Sequence, residues 1–327
     1  MTHYTEDKSI GVVGLGLMGT SIITSLVISG CRIIALAPVT NDLQQAPEVL
    51  KKQLKHARSL DILSHPVEYY LDRIQITEDY SKLQPCVIVL ECVIEDRHIK
   101  ASVYEKIEAV VPEHTLIGTN TSAIPISSLQ PYLKHPGRFM GIHWAEPAYA
   151  TRFMEITCGA DTDPEKAQKV STWAEGWNKE PILLQKDIRG FITNRLMYAV
   201  YREALTLEED QVATMQDLDK AARYDMGSWI SLMGIFQRMD YMNSEEEFVR
   251  TRALLPKLSN RTDVPEIMKI QVREKHRGVH SGQGLFTYSK EEAEAWKKAF
   301  SLFNRDMYFL SEKYTELKPS TSEIIKS

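Results

Sequence analysis

Three glycines in the stretch IGVVGLGLMG, Gly14, Gly16 and Gly19, carry the first chemical signal in this chain. They follow a β-branched run and open a segment of helical character. A strand, a G-x-G-x-x-G turn and a helix in that order make an anion cradle. The first glycine allows the tight turn, the second lets a pyrophosphate approach the backbone, and the third lets helix and strand pack closely. Leu17 and Met18 lie in the first turn of the helix, where free N–H groups and the helix dipole favour an anion. Glycine loops also occur as plain turns, so the surrounding strand–loop–helix–strand order gives the motif its weight.

A dinucleotide site of this kind places an acid about twenty residues on, where it ends the second strand and holds the adenosine ribose. In CRIIALAPVTND that position falls on Ala37, followed by Pro38. No arginine or lysine follows before Lys51, so a 2′-phosphate is not indicated and NAD is the expected cofactor. Two readings stay open for the adenosine end. Asp42 reaches the ribose from the following loop, or backbone and apolar contacts around Ala37 hold it less tightly.

The elements that must position this loop alternate through the first half. Short apolar runs at 9–14, 32–36, 72–77, 86–92, 115–120 and 138–143 predict strands, and 153–158 and 181–185 extend the sheet. Helical patterns fall at 17–29, about 43–60, 97–111 and 163–178. This alternation predicts an α/β domain, a Rossmann-type doubly wound parallel sheet covered on both faces. After KDIRGF the texture becomes helical with almost no strand, as in NRLMYAVYREALTLEED and KEEAEAWKKAFSLFNRDMYFL. The expected division is a Rossmann-type domain over 1–187 and an all-α domain over 188–327. The tail ELKPSTSEIIKS is expected to fray.

Composition narrows the partners. The 327 residues are 43% hydrophobic and 25% charged, with a net charge of −5 and no long basic block, which argues against nucleic acid. Cys31, Cys86, Cys92 and Cys158 form no C-x-x-C pair and read as reduced thiols, so neither a disulfide frame nor a metal site is expected. The start MTHYTEDKS is unlike a secretory signal, and no apolar stretch approaches the roughly 20 residues of a membrane span. A cytoplasmic protein acting on a small molecule, away from membranes, is the expectation.

Further motifs add a specific resemblance. LECVIED (90–96) with GTNTSAIPISSL (118–129), GIHWAEPAYATRFMEI (141–156) and KDIRGFITNRLMYAVYREALTLEE (186–209) follow in order and spacing the E-x-x-x-E, S-N-T-S, G-x-H-F-x-N-P and P-G-F-x-x-N-R segments of one family. DLDKAARYDMGSWISLMGIFQRMD and SGQGLFTY are similar to its later segments. The chain resembles the 3-hydroxyacyl-CoA dehydrogenases over most of its length. ECVIED and the Pro-Ala-Tyr after the histidine are also similar to relatives that oxidise sugar acids or carnitine.

The resemblance implies NAD-dependent hydride transfer between a secondary alcohol and its ketone, which requires a base for the hydroxyl proton. His143 is the candidate, since imidazole works in either direction near neutrality. Glu155, twelve residues on, pairs with the other ring nitrogen if the chain folds back. By the same resemblance Ser122 and Asn194 hydrogen-bond the reacting oxygen or the imidazole, Asn120 lies at the cofactor, and Glu95 and Lys100 lie near the nicotinamide ribose. The alternative readings are a helix cap for Ser122 and a capping or turn residue for Asn194, for both of which the functional reading is favoured, while Glu95 is equally an exposed helix-start acid and Lys100 a solvated lysine.

Three departures qualify the substrate. Glu146 stands where the family has asparagine; facing inward it would raise the imidazole pKa and disfavour a substrate carboxylate, and facing outward it changes little. Arg189 replaces the proline before Gly190-Phe191, with a small local effect expected. The segment between the second and third strands corresponds to a family arm that helps hold CoA and is shorter here. Its Lys51, Lys52, Lys55 and Arg58 are either CoA phosphate contacts or a solvated helix face. The sequence alone therefore favours a 3-hydroxyacyl-CoA or 3-hydroxybutyryl-CoA dehydrogenase of fatty acid metabolism, with substrate contacts from Ser122, Asn194, Glu146, Lys51 and Lys55. The alternatives are a dehydrogenase of a CoA-free hydroxy acid and a non-catalytic binding homologue. The aromatic and methionine stripe from Trp229 to Tyr241 reads as core or subunit interface, and the resemblance implies a homodimer.

Overall fold

A computed structural model describes residues 9–314. The acidic start and the tail expected to fray lie outside the described residues, apart from Ser9. The described chain forms two compact units. One runs to Ile192 and includes Ser301–Tyr308; the other comprises Thr193–Phe300 and the residues from Phe309.

The first unit is built on an eight-stranded sheet of order β3-β2-β1-β4-β5-β6-β7-β8. Its strands are β1 (Ser9–Val13), β2 (Arg32–Leu36), β3 (Ile74–Thr77), β4 (Cys86–Glu91), β5 (Leu116–Thr119), β6 (Phe139–Trp144), β7 (Phe153–Thr157) and β8 (Glu180–Leu184). All neighbours are parallel except β6 and β7. The helices are α1 (Leu17–Ile28), α2 (Thr40–Ser59), α3 (Val67–Leu71), α4 (Arg97–Glu108) and α5 (Pro164–Gly176). The two-residue side-chain period of each strand feeds two cores. Ile33, Ala35, Ile88 and Leu90 pack with Ile22, Leu26, Leu50, Leu54 and Trp173 from α1, α2 and α5. Ile34, Leu36 and Val89 turn the other way, onto Val103, Tyr104 and Ile107 of α4. Continuous apolar strands are what a parallel sheet covered on both faces demands.

The strand order reverses direction at β1, which pairs with both β2 and β4. In open α/β sheets a ligand crevice opens outside the carboxyl ends of the strands at such a point. Gly14 leaves β1 there, its N–H donating to the Leu36 carbonyl at 3.0 Å, while the Cys92 N–H donates to the Val13 carbonyl at 2.7 Å.

The segment from α2 to α3 folds back onto this unit. Ala46, Leu50 and Leu54 join the core, and the Tyr70 ring is buried with its hydroxyl accepting from the Ser64 and His65 N–H groups at 3.1 and 3.2 Å.

In the second unit the helices are α6 (Thr193–Glu209), α7 (Met215–Ala221), α8 (Gly227–Tyr241), α9 (Ser244–Leu254), α10 (Glu266–Arg273) and α11 (Lys290–Lys313), of which the last also passes through the first unit. A π-helical turn over Ala222–Met226 joins α7 to α8, which breaks at Gly234, where φ is +70°. Among the described residues no helix is long and apolar enough to cross a membrane.

Lys179 holds the connection between β6 and β7. Its ammonium is buried and donates to the Ala148 and Thr151 carbonyls at 2.5 and 2.6 Å, with the Trp144 ring 5.3 Å away. Burial, and then the charge of Arg152, push its pKa down from 10.5 to about 7. The unfolded chain holds this proton more tightly than the folded one, so this group's contribution to stability rises with pH between about 7 and 10.5. Chemical unfolding of wild type and Lys179→Met across that window is expected to show the wild type gaining on the variant by on the order of 1 kcal/mol per pH unit. A difference that stays flat with pH contradicts the buried, easily deprotonated lysine.

Candidate active site

Antiparallel pairing of β6 and β7 sets His143 directly opposite Glu155. The His143 Nδ1 lies 2.9 Å from Glu155 Oε2; the imidazole is 15% exposed and the carboxylate fully buried. An ionised carboxylate can only accept, which assigns the proton to Nδ1 and leaves the Nε2 lone pair available. The second carboxylate oxygen, Oε1, accepts the Ile192 N–H at 3.0 Å. That N–H is delivered by a tight turn through Gly190 (φ +80°) and Phe191 (φ +49°), whose buried ring lies 5.7 Å from the imidazole. Phe153 meets the imidazole edge-on at 5.8 Å. Asp187 anchors the same turn by accepting the Ser127 N–H at 2.6 Å.

A second buried carboxylate organises the neighbouring strand ends. Glu91, the last residue of β4, is fully buried and accepts from Lys100 Nζ at 2.9 and 3.0 Å, Tyr104 at 2.8 Å, Thr119 at 2.7 Å and the Val93 N–H at 2.7 Å. Lys100 also reaches Glu95 at 3.4 Å. Glu95 in turn accepts from the Thr121 hydroxyl and from the Ser122 N–H, the latter at 3.3 Å. This corrects the reading of Lys100 as a solvated lysine: its side chain is fully buried between Glu91 and Glu95. Glu91, Tyr104 and Thr119 escaped sequence reasoning. Only the first position of the E-x-x-x-E spacing hinted at Glu91, because a buried ionisable side chain looks like a surface one until its partners are known.

Asn120 ties the ends of β5 and β6 together. Its N–H donates to the Glu91 carbonyl at 2.8 Å and its Oδ1 accepts the Trp144 N–H at 3.0 Å. Ser122 sits in the turn after β5, while Asn194 is the second residue of α6 and belongs to the helical unit. Glu146 turns to α1, where the Ser21 hydroxyl meets its carboxylate; burial nevertheless pushes its pKa up. Ser21 also accepts the Ala148 N–H at 2.8 Å. Lys52, Lys55 and Arg58 are exposed and Lys51 half-buried on α2.

The glycine loop has the shape its motif requires. A Cβ on Gly14, where φ is +98°, would lie 2.8 Å from the Cys92 carbonyl group, and one on Gly19 would lie 1.8 Å from the Gly14 oxygen. A Cβ on Gly16 would meet nothing within 4 Å, so its backbone borders open space. No side chain caps the start of α1. An uncapped twelve-residue helix opening on a glycine next to free space fits the pyrophosphate of a dinucleotide. Ala37 is buried, with its N–H donating to the Thr77 carbonyl at 2.8 Å, and Asp42 lies in the first turn of α2.

A dinucleotide cradle beside a histidine–carboxylate pair defines an NAD-dependent oxidoreductase acting on a CH–OH group. Comparison makes the class specific. Residues 9–188 match the NAD binding domain of 3-hydroxyacyl-CoA dehydrogenase, and residues 190–288 match its C-terminal domain. The chain belongs to the 3-hydroxyacyl-CoA dehydrogenase family. It is 28% identical over 291 residues to 5-formyl-3-hydroxy-2-methylpyridine 4-carboxylate 5-dehydrogenase of Mesorhizobium japonicum, covering 88% of this chain and 93% of that protein. A crystal structure of an enzyme of that name, described as an NAD+ dependent dismutase, superposes with a TM-score of 0.84 at 27% identity, covering 94% of this chain and 98% of that one. L-carnitine dehydrogenase of Oceanobacillus iheyensis is 30% identical, over 70% of this chain and 74% of that protein. A probable 3-hydroxybutyryl-CoA dehydrogenase of Deinococcus radiodurans is 26% identical, over 85% and 99%.

Proposed function

We propose that this protein is a dehydrogenase of a small, CoA-free hydroxy acid, with His143 as its acid/base. The His143–Glu155 pair carries the reading. NAD, when bound, supplies the hydride acceptor. His143 Nε2 takes the hydroxyl proton as the carbinol carbon loses its hydride, and Glu155 stabilises the imidazolium that results. In the reverse direction the same nitrogen returns the proton to the carbonyl oxygen. The Ser122 hydroxyl holds the reacting oxygen, and Gly14, Gly16, Leu17, Met18 and Gly19 carry the pyrophosphate. Glu95, with Lys100 behind it, faces the nicotinamide ribose.

Two observations favour a CoA-free substrate over the acyl-CoA thioester expected from the motifs. The segment from α2 to α3 spends its apolar side chains on the core of its own unit, with Lys55 exposed to solvent and Lys51 half-buried. Two of the three relatives above, at 28% and 30% identity against 26% for the 3-hydroxybutyryl-CoA dehydrogenase, are named for substrates without CoA. Glu146, engaged with Ser21, does not bar a substrate carboxylate from the imidazole.

The test follows absorbance at 340 nm with NAD+ and a panel of free 3-hydroxy acids, with 3-hydroxybutyryl-CoA in parallel. Turnover of a free acid that is lost in His143→Ala is expected. Turnover of the thioester alone contradicts the CoA-free assignment.

The helical unit acts as a homodimer interface. Among the described residues from Thr193 on, only Ala293 is buried, while Phe236 is 81%, Tyr241 75% and Trp296 54% exposed. Apolar surface on this scale marks an association site. Light scattering is expected to give twice the chain mass of 37.4 kDa, and Phe236→Glu to shift the protein toward monomer. A monomer at micromolar concentration contradicts the interface.

A further inference from the structure

The turn that delivers the Ile192 N–H to Glu155 also places Arg189 in a cleft of about 460 Å³, lined by Glu95, Asp96, Arg97, His98, Ala123, Ile124 and Arg189. We propose that Arg97 and Arg189 form an anion subsite in this cleft that takes the carboxylate of the hydroxy acid. The inference rests on the CoA-free reading above and names the group by which that substrate is recognised.

The cleft borders the turn that carries Ser122. Ala123 and Ile124 directly follow Ser122, and Glu95 accepts the Ser122 N–H. Its volume lies in the range of small-molecule sites. The charges inside it are not equivalent. Both acids are already engaged: Asp96 caps α4 by accepting the His98 and Ile99 N–H groups at 2.9 and 3.0 Å. Glu95 is engaged with Lys100, Thr121 and Ser122. Among the described residues, by contrast, no ion pair takes up the guanidinium of Arg97 or Arg189. Two permanent cations are thus left facing one concavity, with His98 beside them.

Local stability does not explain either arginine. Arg97 is the first residue of α4, where the helix dipole favours acids and disfavours cations. Arg189 precedes Gly190 and Phe191, both with positive φ, in a turn fixed by the Asp187 and Ile192 hydrogen bonds, neither of which uses its side chain. A guanidinium keeps its charge at every physiological pH and meets a carboxylate through two parallel N–H donors. A carboxylate held there lies between the turn that follows Ser122 and the turn that delivers the Ile192 N–H to Glu155.

The experiment titrates the NADH-loaded full chain with acetoacetate, with its neutral analogue acetoacetamide and with inorganic phosphate, following NADH fluorescence. Wild type, Arg189→Gln and Arg97→Gln are compared. Acetoacetate is expected to bind at least tenfold more tightly than acetoacetamide, and Arg189→Gln to abolish that preference while leaving NADH affinity within about twofold. Arg189→Lys, which keeps the charge but loses the fork, is expected to restore part of it. Equal binding of acid and amide, no binding of acetoacetate, or an unchanged preference in both glutamine variants overturns the subsite. Binding of phosphate in preference to acetoacetate overturns its assignment to a carboxylate. Reduction of acetoacetyl-CoA alone, unaffected by Arg189→Gln, marks instead the failure of the CoA-free reading. That result is separate from the binding comparison.

Discussion

A carboxylate removed from water costs several kcal/mol unless each oxygen finds strong donors, and this sheet buries two, Glu91 and Glu155. Each donor set draws distant parts of the chain to one place. Glu91 gathers Lys100 and Tyr104 from α4, Thr119 from β5 and the N–H of Val93. Glu155 gathers the imidazole of β6 and the N–H of Ile192 at the end of the Gly190–Phe191 turn. Removing either acid would leave buried donors without a partner, which is why both strand ends are so closely specified. The ends of β4 and β7 are therefore consequences of the same requirement.

The two networks meet at the turn after β5. Lys100 transmits Glu91 to Glu95, Glu95 fixes the Ser122 backbone, and Asn120 binds the Trp144 N–H one residue past His143. His143, Glu155 and Ser122 come from different strand ends, yet their backbones are cross-linked. In the proposed reaction such cross-linking would hold His143 and Glu155 within the tolerance that proton transfer needs.

Much of the architecture was legible in the sequence because parallel sheets write themselves plainly. The apolar runs at 9–14, 32–36 and 86–92 became β1, β2 and β4, and the helical pattern at 17–29 became α1. The glycine spacing announced its turn because Gly14 and Gly19 have no room for a Cβ. His143 and Glu155 met across β6 and β7 because the intervening residues turn the chain back antiparallel, the one such pairing in the sheet. What stayed hidden depends on tertiary partners. Nothing local distinguishes Lys100 in a helical stretch from a solvated lysine, and the contact of Glu146 with Ser21 spans the domain. Arg189 read as a minor replacement because its surroundings come from residues 95–98 and 123–124, far away in the chain.

In the proposed mechanism Glu155 holds His143 with its proton on Nδ1. Steady-state NADH formation by Glu155→Gln, with folding checked by circular dichroism and NADH binding by fluorescence, tests this directly. A glutamine amide can donate to Nδ1 and so favours the wrong tautomer. The expected result is a fall in kcat of about 10²- to 10⁴-fold with NADH affinity within about threefold of wild type. A folded variant that binds NADH and retains kcat within threefold of wild type would contradict the role of the pair.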